Sequence, residues 1–219
     1  SEQLVPRVKN GRLTSDAACR HIRDTLNRTF RYALSRLSGW SRNSHFDTNA
    51  LEKKFSVDIP CPGGPPATLE GKIDRIDIMG NAVAVCDYKS GSPSISLAEI
   101  TNGLKLQLIT YMLAILLTEQ TKKEVRALMP AACMYIYISD EIQSLSSPPS
   151  PEEEEIPPTQ GASGYVLHDP NVLEALDSHM EDSDAFFPIS FKKDGTPRAG
   201  APVLTQEEFR ALLSRVQEW

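Results

Sequence analysis

The stretch LEGKIDRIDIMGNAVAVCDYKSG, residues 69–91, constrains this chain more than any other. Two β-rich runs, Thr68–Met79 and Ala82–Lys89, are separated only by Gly80-Asn81, a hairpin signal. Side chains alternate across a strand, so Asp87 and Lys89 share one face with Val83 and Val85. Apolar packing thus gives way to a carboxylate and an ammonium at the strand's end, as in a cleft. A short hairpin also brings Asp74 within reach of Asp87. Two converging carboxylates repel unless a cation lies between them, and hard divalent ions accept one or two carboxylates plus waters and phosphate. A D-x-K triplet has no specificity by itself. A surface ion pair at Asp87–Lys89 and a salt-bridged hairpin through Arg75 and Asp77 describe the same residues equally well.

The flanking segments read as a mixed α/β chain. Residues 14–38 have Cys19, Ile22, Leu26, Phe30, Ala33 and Leu37 at three- and four-residue spacing, which predicts a helix with one apolar stripe. Thr14 or Ser15 would cap it, Asp16 would stand in its first turn, and Gly39 would end it. Leu51–Ile59 alternates as a strand, and CPGGPP at 61–66 breaks into a loop. Leu104–Thr118 predicts a buried helix on which Gln107 and Tyr111, four apart, interrupt a Leu/Ile surface. They are either core polar residues needing partners or site residues. Ala131–Ser139 predicts a buried strand, and 144–163, with five prolines and Glu152–Glu155, a surface loop. Tyr165–His168 and Phe187–Phe191 read as strands, and Asn171–His179 and Thr205–Glu218 as helices. Thr205 and Glu208 form a capping box on the last of these.

The formal net charge of −6 would argue against a nucleic-acid partner, but it hides a split. Residues 1–45 hold nine Arg or Lys against three acids, and residues 140–184 hold twelve acids with no Arg or Lys. The first helix and its approach are therefore the best candidate for guiding a phosphate backbone. Its arginines serve equally as a solvated helix face. Cys19, Cys61, Cys86 and Cys133 form no C-x-x-C pair, and no apolar run of ~20 residues would span a membrane. A reducing, cytoplasmic setting without membrane association is expected. His45, His168 and His179 read as surface or capping residues, and Trp40 and Trp219 as packing or interdomain contacts.

Taken together, G-x-I-D-R-I-D at 71–77, D-Y-K-S-G at 87–91 and Q-x-x-x-Y at 107–111 resemble the RecB-like branch of the PD-(D/E)xK nucleases. Within it the chain is most similar to the nuclease domains of the B subunits of AddAB-type helicase–nucleases. The likeness runs from Glu52-x-x-Phe55 to GYVLHDP at 164–170 and FPISFKKDG at 187–195.

That resemblance implies one restriction-endonuclease-like domain, a central mixed sheet flanked by helices. It makes Asp74 and Asp87 metal ligands, with the Tyr88 carbonyl a third, and Lys89 the catalytic lysine. Gln107 and Tyr111 support the site and contact DNA, with Arg75 alongside. Glu52 is either a metal or water contact or half of a salt bridge. The implied cofactor is Mg²⁺, with Mn²⁺ able to substitute. The implied activity is exonucleolytic cleavage of DNA by in-line water attack, leaving 5′-phosphate and 3′-hydroxyl ends. It would serve double-strand break repair in a bacterial complex with an AddA-like helicase–nuclease subunit.

Relatives carry an upstream His or Glu on a helix that His21 does not match. The chain is therefore expected to be a fragment of a longer protein, and its cysteines are not placed for the iron–sulfur cluster that such B subunits often hold. Two rival readings remain. One is a silent DNA-binding or scaffolding module, and the other a stand-alone Cas4-like nuclease.

Overall fold

A computed structural model describes residues 16–59, 63–91, 95–120, 127–138, 161–180 and 185–217. Its centre is a six-stranded mixed sheet in the spatial order β1-β2-β3-β4-β5-β6. The strands are β1 (Asp47–Ile59), β2 (Ala67–Met79), β3 (Ala82–Lys89), β4 (Met129–Tyr137), β5 (Ala162–Leu167) and β6 (Val203–Leu204). The β1-β2-β3 meander is antiparallel, and its second turn sits at Gly80, whose φ of 60° suits a residue without a Cβ. Strand β3 pairs parallel with β4, which requires a crossover. That crossover holds α2 (Leu97–Thr101) and α3 (Gln107–Gln120). The helices α1 (Ala17–Asn43), α4 (Pro170–Leu176) and α5 (Gln206–Gln217) complete the fold. This is the mixed α/β architecture expected, with strands β3 and β4 buried almost throughout.

The two sheet faces are covered differently. Helix α3 packs against β1, β3, β4 and α5. On the opposite face the C-terminal half of α1 is seated by Trp40, which is 3% exposed. The Trp40 Nε1 donates to the Leu176 carbonyl at 2.8 Å, and its ring stacks on Phe186 with centroids 4.7 Å apart. This docking explains why α1 runs through Gly39 to Asn43 instead of ending there. A glycine inside a helix costs about 1 kcal/mol, less than burial of a tryptophan returns.

Other sequence expectations are also corrected. Asp16 caps α1, accepting from the Cys19 N–H at 2.8 Å, whereas Thr14 and Ser15 lie outside the described residues. The apolar stripe of α1 is only partly a core face. Ala33 is buried, but Ile22, Leu26, Phe30 and Leu34 are each more than half exposed. Phe187–Phe191 is not a strand: Phe187 and Ile189 are buried, yet among the described residues backbone pairing there is limited to the Phe191–Pro197 bridge and the Ile189 N–H to the Met180 carbonyl. Its alternation reflects core burial without a ladder. The 144–160 part of the Pro/Glu-rich stretch, Cys61 and Trp219 lie outside the described residues. Among the described residues no helix is long and apolar enough to cross a membrane.

Candidate active site

The β2–β3 ladder runs from Met79↔Ala82 to Arg75↔Cys86. One step further along the same register, Asp74 faces Asp87. There the Asp74 side chain takes over the strand's bonding, its Oδ2 accepting from the Tyr88 N–H at 3.0 Å. This contact fixes the direction of the Asp74 carboxylate beside that of Asp87. Asp87 itself is 3% exposed at the end of a buried strand, and burial, opposed by the Lys89 ammonium and reinforced by Asp74, raises its pKa.

Helix α3 closes the site from above. Gln107 Nε2 donates to Asp87 Oδ1 at 2.8 Å and to the Tyr111 hydroxyl at 3.0 Å, while its Oε1 accepts from Lys89 Nζ at 2.9 Å. Gln107 therefore binds the carboxylate and the ammonium of the D-x-K triplet at once, and Tyr111 orients its amide. Tyr111 is held edge-on by Phe55 of β1, ring centroids 5.8 Å apart. Phe55 in turn lies across Gly71, where a Cβ would stand 2.8 Å from two of its ring carbons. The glycine that opens G-x-I-D-R-I-D is thus a close-approach residue that lets Phe55 reach α3.

Lys89 Nζ lies 2.5 Å from Asp87 Oδ2, so the ammonium is the neighbour this buried oxygen has among the described residues. A buried carboxylate oxygen in that condition, next to a second carboxylate, fits a hard divalent cation. Among the described residues no three His, Cys, Asp or Glu side chains converge on one point. The protein side chains available to an ion here are the two aspartates.

Two of the expected site residues are placed elsewhere. Arg75 points to the opposite face, where its Nε lies 2.8 Å from both oxygens of fully buried Asp77 and its Nη1 lies 3.5 Å from the Tyr88 hydroxyl. Its guanidinium carbon lies 4.9 Å from the Trp40 ring centroid. Burial opposes the Arg75 charge, but its bonds to Asp77 and Tyr88 outweigh that and raise its pKa. This guanidinium joins α1 to the sheet and is turned away from the carboxylate pair. Glu52 pairs with Lys72 in an exposed ion pair and has a φ of 53°, rare for a residue with a Cβ. Of the two alternatives open for Glu52, the geometry is that of the salt bridge.

The sequence reading missed Tyr135 of β4. The parallel β3–β4 register sets it beside Asp87, and Lys89 Nζ lies 5.1 Å from its ring centroid. Burial, then the Asp87 charge, pushes its phenol up to about 12. No local signal marks it, because the pairing joins residues 48 apart in the chain.

A mixed sheet whose hairpin ends in facing carboxylates with a lysine two residues on, closed by a Gln/Tyr helix, is the framework of a nuclease. Residues 2–218 match the PD-(D/E)XK nuclease superfamily, and the chain belongs to it. More particularly, it is similar to proteins named as B subunits of an ATP-dependent helicase/deoxyribonuclease. It is 33% identical to the one from Pelotomaculum thermopropionicum over 225 residues, 96% of this chain and 19% of the relative. With the one from Desulforamulus reducens the identity is 31% over 229 residues, 99% of this chain and 20% of the relative. The chain thus spans about a fifth of the length of these relatives.

Proposed function

We propose that this chain is the metal-dependent DNA exonuclease domain of a bacterial AddAB-type helicase–nuclease, working with an AddA-like subunit in double-strand break repair. The facing pair Asp74 and Asp87, with Lys89 on the same strand end, carries the reading. Asp74, Asp87 and the Tyr88 carbonyl would hold Mg²⁺, or Mn²⁺ in its place. When bound, the ion supplies positive charge against the phosphate and makes the attacking water more acidic.

The chain's own residues do the rest. Lys89 Nζ donates to the attacking water or to a non-bridging phosphate oxygen, fixing the line of attack and balancing developing negative charge. Gln107 offers Lys89 a second acceptor in its Oε1, so the ammonium lies between that oxygen and Asp87. Tyr111 holds the Gln107 amide in the flip state this requires. The hydroxyl of Tyr111 and the exposed edge of Lys89 form the surface that a strand would meet. The arginines of α1 supply a basic face for the phosphate backbone at longer range.

The test is cleavage of end-labelled linear single-stranded DNA with Mg²⁺ or Mn²⁺, beside a circular strand of the same length. Degradation of the linear strand alone is expected, with at least a hundredfold loss in Asp87→Ala and Lys89→Ala. Undiminished cleavage by either variant refutes the assigned roles, and cutting of the circle refutes the exonuclease mode.

A further inference from the structure

Lys89 is held from two sides by Asp87 and Gln107, yet its side chain is still 32% exposed. An ammonium on four rotatable bonds needs a third, lateral restraint if it is to present one direction to a substrate. The aromatic face next to it is that of Tyr135. This residue is 4% exposed, is fixed in the middle of a buried strand, and is the register partner of Asp87. Its ring centroid lies 5.1 Å from Lys89 Nζ, inside the range where a ring face attracts a cation.

We propose that Tyr135 is a positioning residue for Lys89: its ring face forms the wall that keeps the ammonium between Asp87 and Gln107. The catalytic part of this proposal rests on the nuclease reading, whereas the seat itself does not. The ring is the working part. An ammonium has three protons and no acceptor, so one can go to Gln107 Oε1 and one can face Asp87. The ring's negative face meets the side of the ammonium while leaving a proton for the substrate. A carboxylate or carbonyl in that place would bind this third proton and take it out of use. A leucine of similar reach would offer no attraction at all.

The experiment uses the whole chain, with Tyr135→Phe, Tyr135→Leu and Tyr135→Met. The first readout is the NMR shift of the Lys89 Hε protons, assigned by the loss of its signal in Lys89→Arg. These protons are expected upfield of ordinary lysines in the wild type and Tyr135→Phe, and near the ordinary position in Tyr135→Leu. The second readout is kcat for the linear strand. It should fall about three- to thirtyfold in Tyr135→Leu with KM within twofold, and Tyr135→Phe should restore it. Should the leucine variant fail to fold, Tyr135→Met fills the same space with a flexible chain and takes its place.

Ordinary Lys89 shifts in the wild type, or a folded Tyr135→Leu or Tyr135→Met with wild-type kcat, overturn the proposal. Absence of any metal-dependent cleavage by the wild type instead overturns the nuclease reading and removes the catalytic role. The Lys89 shifts then decide the seat alone.

Discussion

Replacing Arg75 with Met separates two jobs that a guanidinium next to Asp74 can do. Arg75 holds both oxygens of Asp77 at 2.8 Å, Asp77 is fully buried, and the Arg75 side chain is itself only 13% exposed. Methionine fills most of the stem's volume but leaves Asp77 without its ion-pair partner. Breaking a buried pair in this one-sided way costs about 3–5 kcal/mol. Loss of the Trp40 stack, 4.9 Å from the guanidinium carbon, adds to that by loosening α1. For a chain of this length each kcal/mol moves the midpoint by roughly 2–4 °C, so Tm should fall by roughly 6–20 °C. Thermal melts followed by circular dichroism measure this directly. Removing both partners, in Arg75→Met with Asp77→Leu, should recover most of the loss, because no orphaned charge remains. A DNA-contacting arginine predicts the reverse: an unchanged melt, weaker DNA binding and a salt slope lower by about one. Arg75→Met with wild-type Tm and weakened DNA binding would refute the structural assignment.

Three further outcomes follow from the geometry. Burial raises the Asp87 pKa above the ordinary value of 3.8, so in EDTA its ionised form weakens the fold at neutral pH and the protonated form strengthens it. The stability gap between Asp87→Asn and the wild type should therefore favour Asn near pH 7 and narrow as pH falls through the folded pKa, as read by Tm at each pH. Gly164→Ala would place a Cβ 2.0 Å from the Cys133 carbonyl oxygen, a backbone contact that β5 can escape only by leaving β4. Loss of several kcal/mol in urea unfolding is expected, and a near-neutral effect would mean that β5 sits differently. Gln107→Leu removes the group that binds both Asp87 Oδ1 and Lys89 Nζ, so kcat should drop about ten- to hundredfold with a folded spectrum retained. Unchanged kcat in that variant would detach α3 from the chemistry.

Local periodicity was enough to place Asp87 and Lys89 on one face, because alternation along a strand depends on nothing outside it. The Gly80-Asn81 turn did the same for Asp74, since a two-residue connection fixes register. The Thr205–Glu208 capping box and the Gln107/Tyr111 pairing on one helix face are likewise properties of a few consecutive residues, and both appear in the fold. The resemblance of the motifs to a nuclease family was legible for the same reason: each motif is short and contiguous.

What the tertiary structure alone decided involves partners distant in the chain. Arg75 reads as one more site residue beside Asp74 until α1 packs on the other face and supplies Trp40. Phe187–Phe191 alternates like a strand, but its apolar residues are used by the core, with no partner strand among the described residues. The stripe of α1 has helical period along its whole length, yet only docking determines that Ala33 and Trp40 are covered while Leu26 and Phe30 are not. Tyr135 reaches Lys89 solely because β3 and β4 run parallel across the α2–α3 crossover. A chain's sequence carries the period and chemistry of each element; which face meets which is settled only when the elements compete for the same buried surface.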